Sequence, residues 1–267
     1  MYKSITSTQN NLIKECFQLK EKSRKRRQTG TFLIEGVREI SLALKGAYKL
    51  HTLLVLDEKI NDSPVSELIE CLDNTTEVIS ISSDVYKKLA LRESTEGTIA
   101  IAEGKKHELK DVQFHSEHPL ILVAEAPEKP GNIGALLRTA DAAKVDAVFI
   151  ANPKTDLYNG NIIRSSVGCV FTTQVAMGST TEILDFLKQR NIAIYGAALT
   201  ASVAYTSVDF TKASAIVVGT EATGLSKEWL ENTTQNIIIP MRGAIDSMNV
   251  SVSAAIITFE AVRQRTN

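Results

Sequence analysis

Hydrophobic and polar positions in the first hundred residues alternate between the helical and the extended period, which predicts a small α/β unit with its own core. Residues 12–19 have helical spacing. Thr31-Phe32-Leu33-Ile34-Glu35-Gly36 reads as a strand closed by glycine, and residues 37–44 are helical again. A strand at 51–56 follows, then a helix at 65–72 behind the start signal Ser63-Pro64. Residues 77–81 predict a strand, 84–91 a helix and 98–102 a strand. From Glu103 to Pro119 the pattern lapses into charged and polar residues. This predicts a linker at 105–118 between a unit at 1–104 and a second at 119–267.

The second unit is expected to hold strands at 120–124, 147–151, 172–175, 192–196, 215–218 and 237–239, with helices between them at 133–144, 181–190 and 250–265. Four of these strands are nearly continuous apolar runs, the pattern of a parallel sheet covered on both faces. In open α/β sheets, ligands bind in the loops at the carboxyl ends of the strands. Three polar clusters fall there: Asn132-Ile133-Gly134-Ala135-Leu136-Leu137-Arg138, then Gly219-Thr220-Glu221-Ala222-Thr223-Gly224-Leu225, then Ile239-Pro240-Met241 running on to Ser247-Met248-Asn249-Val250-Ser251.

Composition narrows the class. With 267 residues, 43% of them hydrophobic and 23% charged, the chain suits a soluble α/β protein of one or two domains. No apolar run reaches the length of a membrane span, and the start, Met1-Tyr2-Lys3-Ser4, has no signal-peptide core, so the expectation is a cytoplasmic protein. The three cysteines and four histidines have no metal-type spacing, and no metal is expected. Net charge is −1, yet residues 1–50 carry eleven Lys or Arg against four Asp or Glu. The excess sits in Lys20-Glu21-Lys22-Ser23-Arg24-Lys25-Arg26-Arg27, which is either a solvated helix end or a footprint for a phosphate backbone.

Each cluster has a plain structural use as well as a chemical one. Asn132 stands where a helix N-cap is expected, and Ser247 or Asn249 can cap the last helix. The glycines of the second cluster suit a tight turn, or a cofactor lying against bare backbone. The dinucleotide fingerprint and the P-loop pattern are both absent. In the third cluster the doubled polar residues exceed what one cap needs.

Taken in order and spacing, N-x-G-x-x-x-R, G-x-E-x-x-G-L, and I-P-M followed by S-x-N-V-S resemble the three motifs of the SpoU (TrmH-like) family of RNA ribose 2′-O-methyltransferases, within the SPOUT class. The resemblance spans about residues 119–265. More loosely, Ile5-Thr6-Ser7 with Asn10, Phe32-Leu33-Ile34-Glu35-Gly36 and Thr95-Glu96-Gly97 resemble the ribosomal-protein-like (L30e-like) RNA substrate-binding domain found ahead of such enzymes. Met248 stands where leucine is more usual, a volume-conserving change.

The resemblance implies a C-terminal parallel-sheet SPOUT domain with a trefoil knot, S-adenosylmethionine as cofactor, and a homodimer whose active site straddles the interface. By matching positions, Asn132, Arg138, Glu221, Ser247 and Asn249 are implied as catalytic or substrate-positioning residues. Leu199, Gly219, Thr220, Ile239, Met241 and Met248 are implied as cofactor contacts. RNA contacts are expected from Lys14, Lys22, Arg24, Lys25, Arg26, Arg27 and Arg164, with ribosomal RNA preferred to transfer RNA as the substrate. Two rival readings remain: a dehydrogenase on an ordinary Rossmann sheet, and an RNA-binding protein that has lost its chemistry.

Overall fold

The computed structural model describes residues 2–91, 97–200, 202–220 and 222–266. Glu221, and Thr95 and Glu96 of the looser resemblance, lie outside them. The chain divides into two compact units, Met1–Lys106 with Asp156–Thr172, and His107–Thr155 with Thr173–Asn267.

The first unit contains β1 (Lys3–Ile5), α1 (Asn11–Glu21), α2 (Ser23–Thr29), β2 (Thr31–Glu35), α3 (Val37–Lys45), β3 (Leu50–Leu56), α4 (Ser63–Glu70), β4 (Glu77–Ile81), α5 (Ser83–Leu89) and β5 (Thr98–Glu103). Its sheet has the order β1-β4-β3-β5-β2, with β5 antiparallel to both neighbours and the other pairs parallel. Asn10 starts α1 by accepting from the Leu12 N–H at 2.9 Å, and Ile13, Cys16 and Leu19 form the face of that helix that packs into the core. The Cys16 thiol is pushed up to about 12, chiefly by burial, which makes it an inert core residue.

Sequence periodicity gave no sign that residues 156–172 belong to this first unit. Their apolar side chains explain it: Leu157, Ile162, Ile163, Val170 and Phe171 are buried. The Tyr158 ring stacks on Phe32 with centroids 4.0 Å apart, and Phe171 meets Tyr48 edge-on at 5.1 Å. The single domain expected over 119–267 is therefore interrupted. The expected linker is also corrected, because residues 107–118 belong to the second unit. There Glu108 bridges to Met177, and Leu109, Val112 and Phe114 pack against the core.

The second unit is a seven-stranded, wholly parallel sheet, with α-helices of its own between only some of the consecutive strands. It comprises β6 (Leu120–Glu125), α6 (Pro130–Ala142), β7 (Ala147–Ala151), β8 (Val175–Gly178), α8 (Thr180–Gln189), β9 (Ala193–Ala197), β10 (Ser202–Ala204), β11 (Ser214–Val218), α9 (Lys227–Asn232), β12 (Gln235–Ile238) and α10 (Val250–Arg265), while α7 (Gly160–Ser165) lies in the first unit. Strand order is β10-β12-β9-β11-β6-β7-β8. β6, β7 and β11 are buried at every position, which accounts for their nearly continuous apolar sequences, broken only by Glu125 at the end of β6 and Ser214 at the start of β11. β12 pairs between β9 and β10, strands that are consecutive in the chain, so the last strand enters the sheet between two that precede it. Among the described residues no helix is long and apolar enough to cross a membrane, and no group of three or more His, Cys, Asp or Glu could hold a metal ion.

Candidate active site

The carboxyl ends of β9, β11 and β12, together with the entry to α10, enclose a cavity of about 640 Å³. That lies within the range of small-molecule sites, about 300–1,000 Å³. Leu199, Gly219, Thr220, Ile239, Met241 and Met248 all line it, as do Ser247 and Asn249. Its wall at Gly219 is bare backbone for a steric reason. A Cβ there would stand 2.1 Å from the Gly224 carbonyl carbon and 2.3 Å from its oxygen. The loop after β11 turns back on itself through paired bonds, Thr220 N–H to Gly224 O at 3.0 Å and Gly224 N–H to Thr220 O at 3.1 Å, with Gly224 at φ +69°. Beyond the turn, the buried Glu125 at the end of β6 accepts from the Ser226 N–H at 2.8 Å and ties the loop to the sheet.

Asn249 is the N-cap of α10, accepting from the Ser251 N–H at 2.9 Å, and its Nδ2 donates to Asn132 Oδ1 at 3.2 Å. Two of the three sequence clusters therefore meet, across 117 residues of chain. Asn132 itself is not the cap that its position suggested. Pro130, whose fixed φ suits the first helical position, starts α6 earlier, so Lys129 is the cap and Asn132 lies within the first turn. Ser247 is not a cap either; its hydroxyl donates to Asp246 Oδ1 at 3.1 Å. Asp246 is the one charged side chain among the described residues lining the cavity.

Arg138 is exposed on α6 and does not line the cavity within one chain. α10, which packs against α6, leaves Val252 and Phe259 47% and 46% exposed, with the half-buried Ile256 between them on the same stripe.

All seven expected RNA contacts lie in the first unit, including Arg164 on α7. Lys14, Lys22, Arg24, Arg27 and Arg164 are exposed and Lys25 is half-buried. Arg26 corrects the expectation. It is 6% exposed; its Nε donates to Asp156 Oδ2 at 2.5 Å, and its Nη1 donates to the Leu19 and Lys20 carbonyls at 2.6 and 3.1 Å. With Nε and Nη1 bonded inside the unit and the side chain 6% exposed, it is a structural cross-link and not a phosphate contact. Ser251, part of the third cluster but not among the expected site residues, donates its hydroxyl to Asn249 Oδ1 at 2.6 Å.

Comparison with known proteins places this geometry. Residues 119–259 match the SpoU rRNA Methylase family, and residues 10–100 match the MRM3-like substrate binding domain. The chain is 31% identical over 257 residues to the 23S rRNA (guanosine(2553)-2′-O)-methyltransferase RlmP of Bacillus subtilis (strain 168), covering 96% of this chain and 98% of that protein. It is 30% identical over 248 residues to the 23S rRNA (uridine(2479)-2′-O)-methyltransferase of Streptomyces viridochromogenes, covering 90% of this chain and 85% of that one. Among solved structures, an RNA 2′-O ribose methyltransferase superposes with a TM-score of 0.86 at 39% identity, over 99% of this chain and all of the other. The SpoU methyltransferase AviRb from Streptomyces viridochromogenes, in complex with the cofactor AdoMet, gives a TM-score of 0.89 at 28% identity, over 97% and 99% of the two chains.

Proposed function

Since the chain belongs to the SpoU rRNA Methylase family, we propose that it transfers a methyl group from S-adenosylmethionine to a ribose 2′-hydroxyl of 23S ribosomal RNA. What carries this reading is the convergence of Leu199, Gly219, Thr220, Ile239, Met241 and Met248 on one cavity, with the Asn249–Asn132 pair at its edge. The walls suit this cofactor: bare backbone at Gly219, small side chains at Ala197 and Ala198 for a flat heterocycle, and the Asp246 carboxylate for a cation. When bound, S-adenosylmethionine supplies a methyl group already activated by a positive sulfur.

The protein must then hold the ribose hydroxyl in line with that methyl group and manage one proton. Alignment of this kind is worth about 7–11 kcal/mol in the best cases. Ser247 and Asn249 are placed to position the ribose or its phosphate. The Arg138 guanidinium offers planar N–H donors and a positive charge, which suit stabilising the developing alkoxide or clamping the neighbouring phosphate. Glu221, outside the described residues, is assigned as proton acceptor or as the orienter of Arg138.

Because Arg138 stands outside the cavity of its own chain, this reading calls for a homodimer in which one protomer's Arg138 faces its partner's cavity. The uncovered apolar stripe Val252-Ile256-Phe259 of α10 supports such an interface. The entry of β12 between β9 and β10 fits the knotted threading of SPOUT enzymes. Lys14, Lys22, Arg24, Lys25, Arg27 and Arg164 would dock RNA on the first unit through its phosphates.

Mass-spectrometric mapping of ribose methylation in ribosomal RNA, from cells with and without the gene, tests the reaction and finds the nucleotide. Arg138→Ala is expected to abolish methyl transfer while cofactor affinity stays near normal. Near-normal turnover by that variant contradicts the role given to Arg138.

A further inference from the structure

The two forms of the cofactor on either side of the reaction differ by one charge. In methyl transfer a lone pair on the ribose O2′ forms the new C–O bond, the S–C pair stays on sulfur, and the hydroxyl proton passes to Glu221 or to water. The sulfur enters as a sulfonium and leaves as a neutral thioether. Adenosine, ammonium and carboxylate groups are the same in S-adenosylmethionine and S-adenosylhomocysteine. A wall of neutral groups therefore tells the two apart only by the contacts of one methyl group.

One side chain departs from such a wall. Asp246 is the one charged group among the described residues that line the cavity. A carboxylate can only accept, so the Ser247 hydroxyl donates to its Oδ1, at 3.1 Å. Asp246 forms no ion pair among the described residues, so no protein cation offsets its charge there. Ser247 and Asn249, assigned above to the ribose, line the same cavity beside it. The carboxylate thus stands toward the end of the cavity where the methyl group departs.

We propose that Asp246 makes the cavity charge-selective. It favours the sulfonium of S-adenosylmethionine over the thioether of S-adenosylhomocysteine, and so weakens retention of the product after each turnover. This selection rests on the methyl-transfer reading above and adds to it how the used cofactor is released. Asp246 is exposed, so water screens the interaction, and its size is that of an exposed ion pair and not of a buried one.

Calorimetry on the full-length chain tests this with three ligands: S-adenosylmethionine, S-adenosylhomocysteine, and sinefungin, in which an amine-bearing carbon replaces the methylated sulfur. The variants are Asp246→Asn, Asp246→Glu and Glu221→Gln. Asparagine keeps an acceptor for Ser247 and removes only the charge. In Asp246→Asn the affinities for S-adenosylmethionine and sinefungin are expected to fall about three- to fivefold, the upper range for an exposed pair, while that for S-adenosylhomocysteine stays at the wild-type value. Intact binding of the thioether shows that the cavity is folded. The methyl contact is common to wild type and variant, so the change in the ratio of affinities isolates the charge. Asp246→Glu is expected to keep the wild-type ratio. Added salt should narrow the preference in the wild type and leave Asp246→Asn unchanged. A wild-type ratio in Asp246→Asn, an equal loss for all three ligands, an Asp246→Glu protein that behaves as Asp246→Asn, or a shifted ratio in Glu221→Gln alone would overturn the proposal while the methyl-transfer reading stands. A wild-type chain that binds neither S-adenosylmethionine nor S-adenosylhomocysteine would overturn that reading, and this proposal with it.

Discussion

Replacing Arg26 by alanine separates structural from RNA-binding roles within one basic stretch. The substitution leaves Asp156, whose side chain is 11% exposed, without its guanidinium, and it deprives the Leu19 and Lys20 carbonyls of a donor. Breaking a buried pair by removing one partner costs about 3–5 kcal/mol. The residual exposure of Asp156 places the expected loss at the lower end, about 3 kcal/mol. At about 4 °C per kcal/mol, the figure at which the ranges for smaller and larger domains meet, this is a drop of about 12 °C in the melting transition of the first unit, read by calorimetry. Replacing both partners with apolar residues, as in Arg26→Met with Asp156→Leu, is expected to recover most of the loss, since no lone charge is then buried. RNA binding should respond in the opposite way. Each phosphate contact contributes about 0.7–0.9 to the slope of log affinity against log salt, so Arg27→Ala lowers the slope by about that amount and Arg26→Ala leaves it unchanged. An Arg26→Ala protein that melts normally and loses salt dependence would refute this account and return Arg26 to the RNA contacts.

Other outcomes follow from the same geometry. Gly219→Ala places a methyl group 2.1 Å from the Gly224 carbonyl carbon, and the turn must open to admit it; at about 1–3 kcal/mol for overpacking, cofactor affinity by calorimetry is expected to fall about tenfold or more, and unchanged affinity would exclude this wall from the cofactor site. The Glu260 carboxyl is held down to about 2, first by its hydrogen bonds from Arg263 and then by the one from Gln264. Its pKa is lower folded than unfolded, so it stabilises the fold above the ordinary value near 4.5, and that stabilisation is lost as pH falls from there through about 2. Glu260→Gln should flatten thermal midpoint against pH over that window, and matching curves would disprove the linkage. Phe259→Ser with Val252→Ser is expected to yield monomers in sedimentation analysis with no methyl transfer; an active monomer would remove the shared site.

Much of the second unit was legible because its strands are buried on both faces. Residues 147–151 and 250–265 read from the sequence as the elements found there, since the first is an unbroken apolar run and the second is a long stretch without glycine or proline behind an asparagine cap. Short elements were lost: β10 has three residues and α9 six, too few to display a period. The strand expected at 172–175 lies at Val175–Gly178, because residues 169–171 form a 3₁₀ turn that delays its start. The cap expected at Asn132 lies three residues earlier, at Lys129, because proline and asparagine both announce a helix start. Arg26 could not be told from Arg27 by composition, since only the fold decides which of two adjacent cations faces Asp156, 130 residues away. The meeting of Asn132 with Asn249 was likewise a matter of tertiary geometry, expected from the family resemblance and not from any local pattern.

The inclusion of residues 156–172 in the first unit limits how this chain can be re-engineered. A chimera that exchanges the recognition module by one splice near Lys106 would carry away Phe32 and Tyr48 and strand Tyr158 and Phe171 without their ring partners. A workable graft must transplant two segments at once, 1–106 and 156–172, and rejoin the second unit at two further junctions.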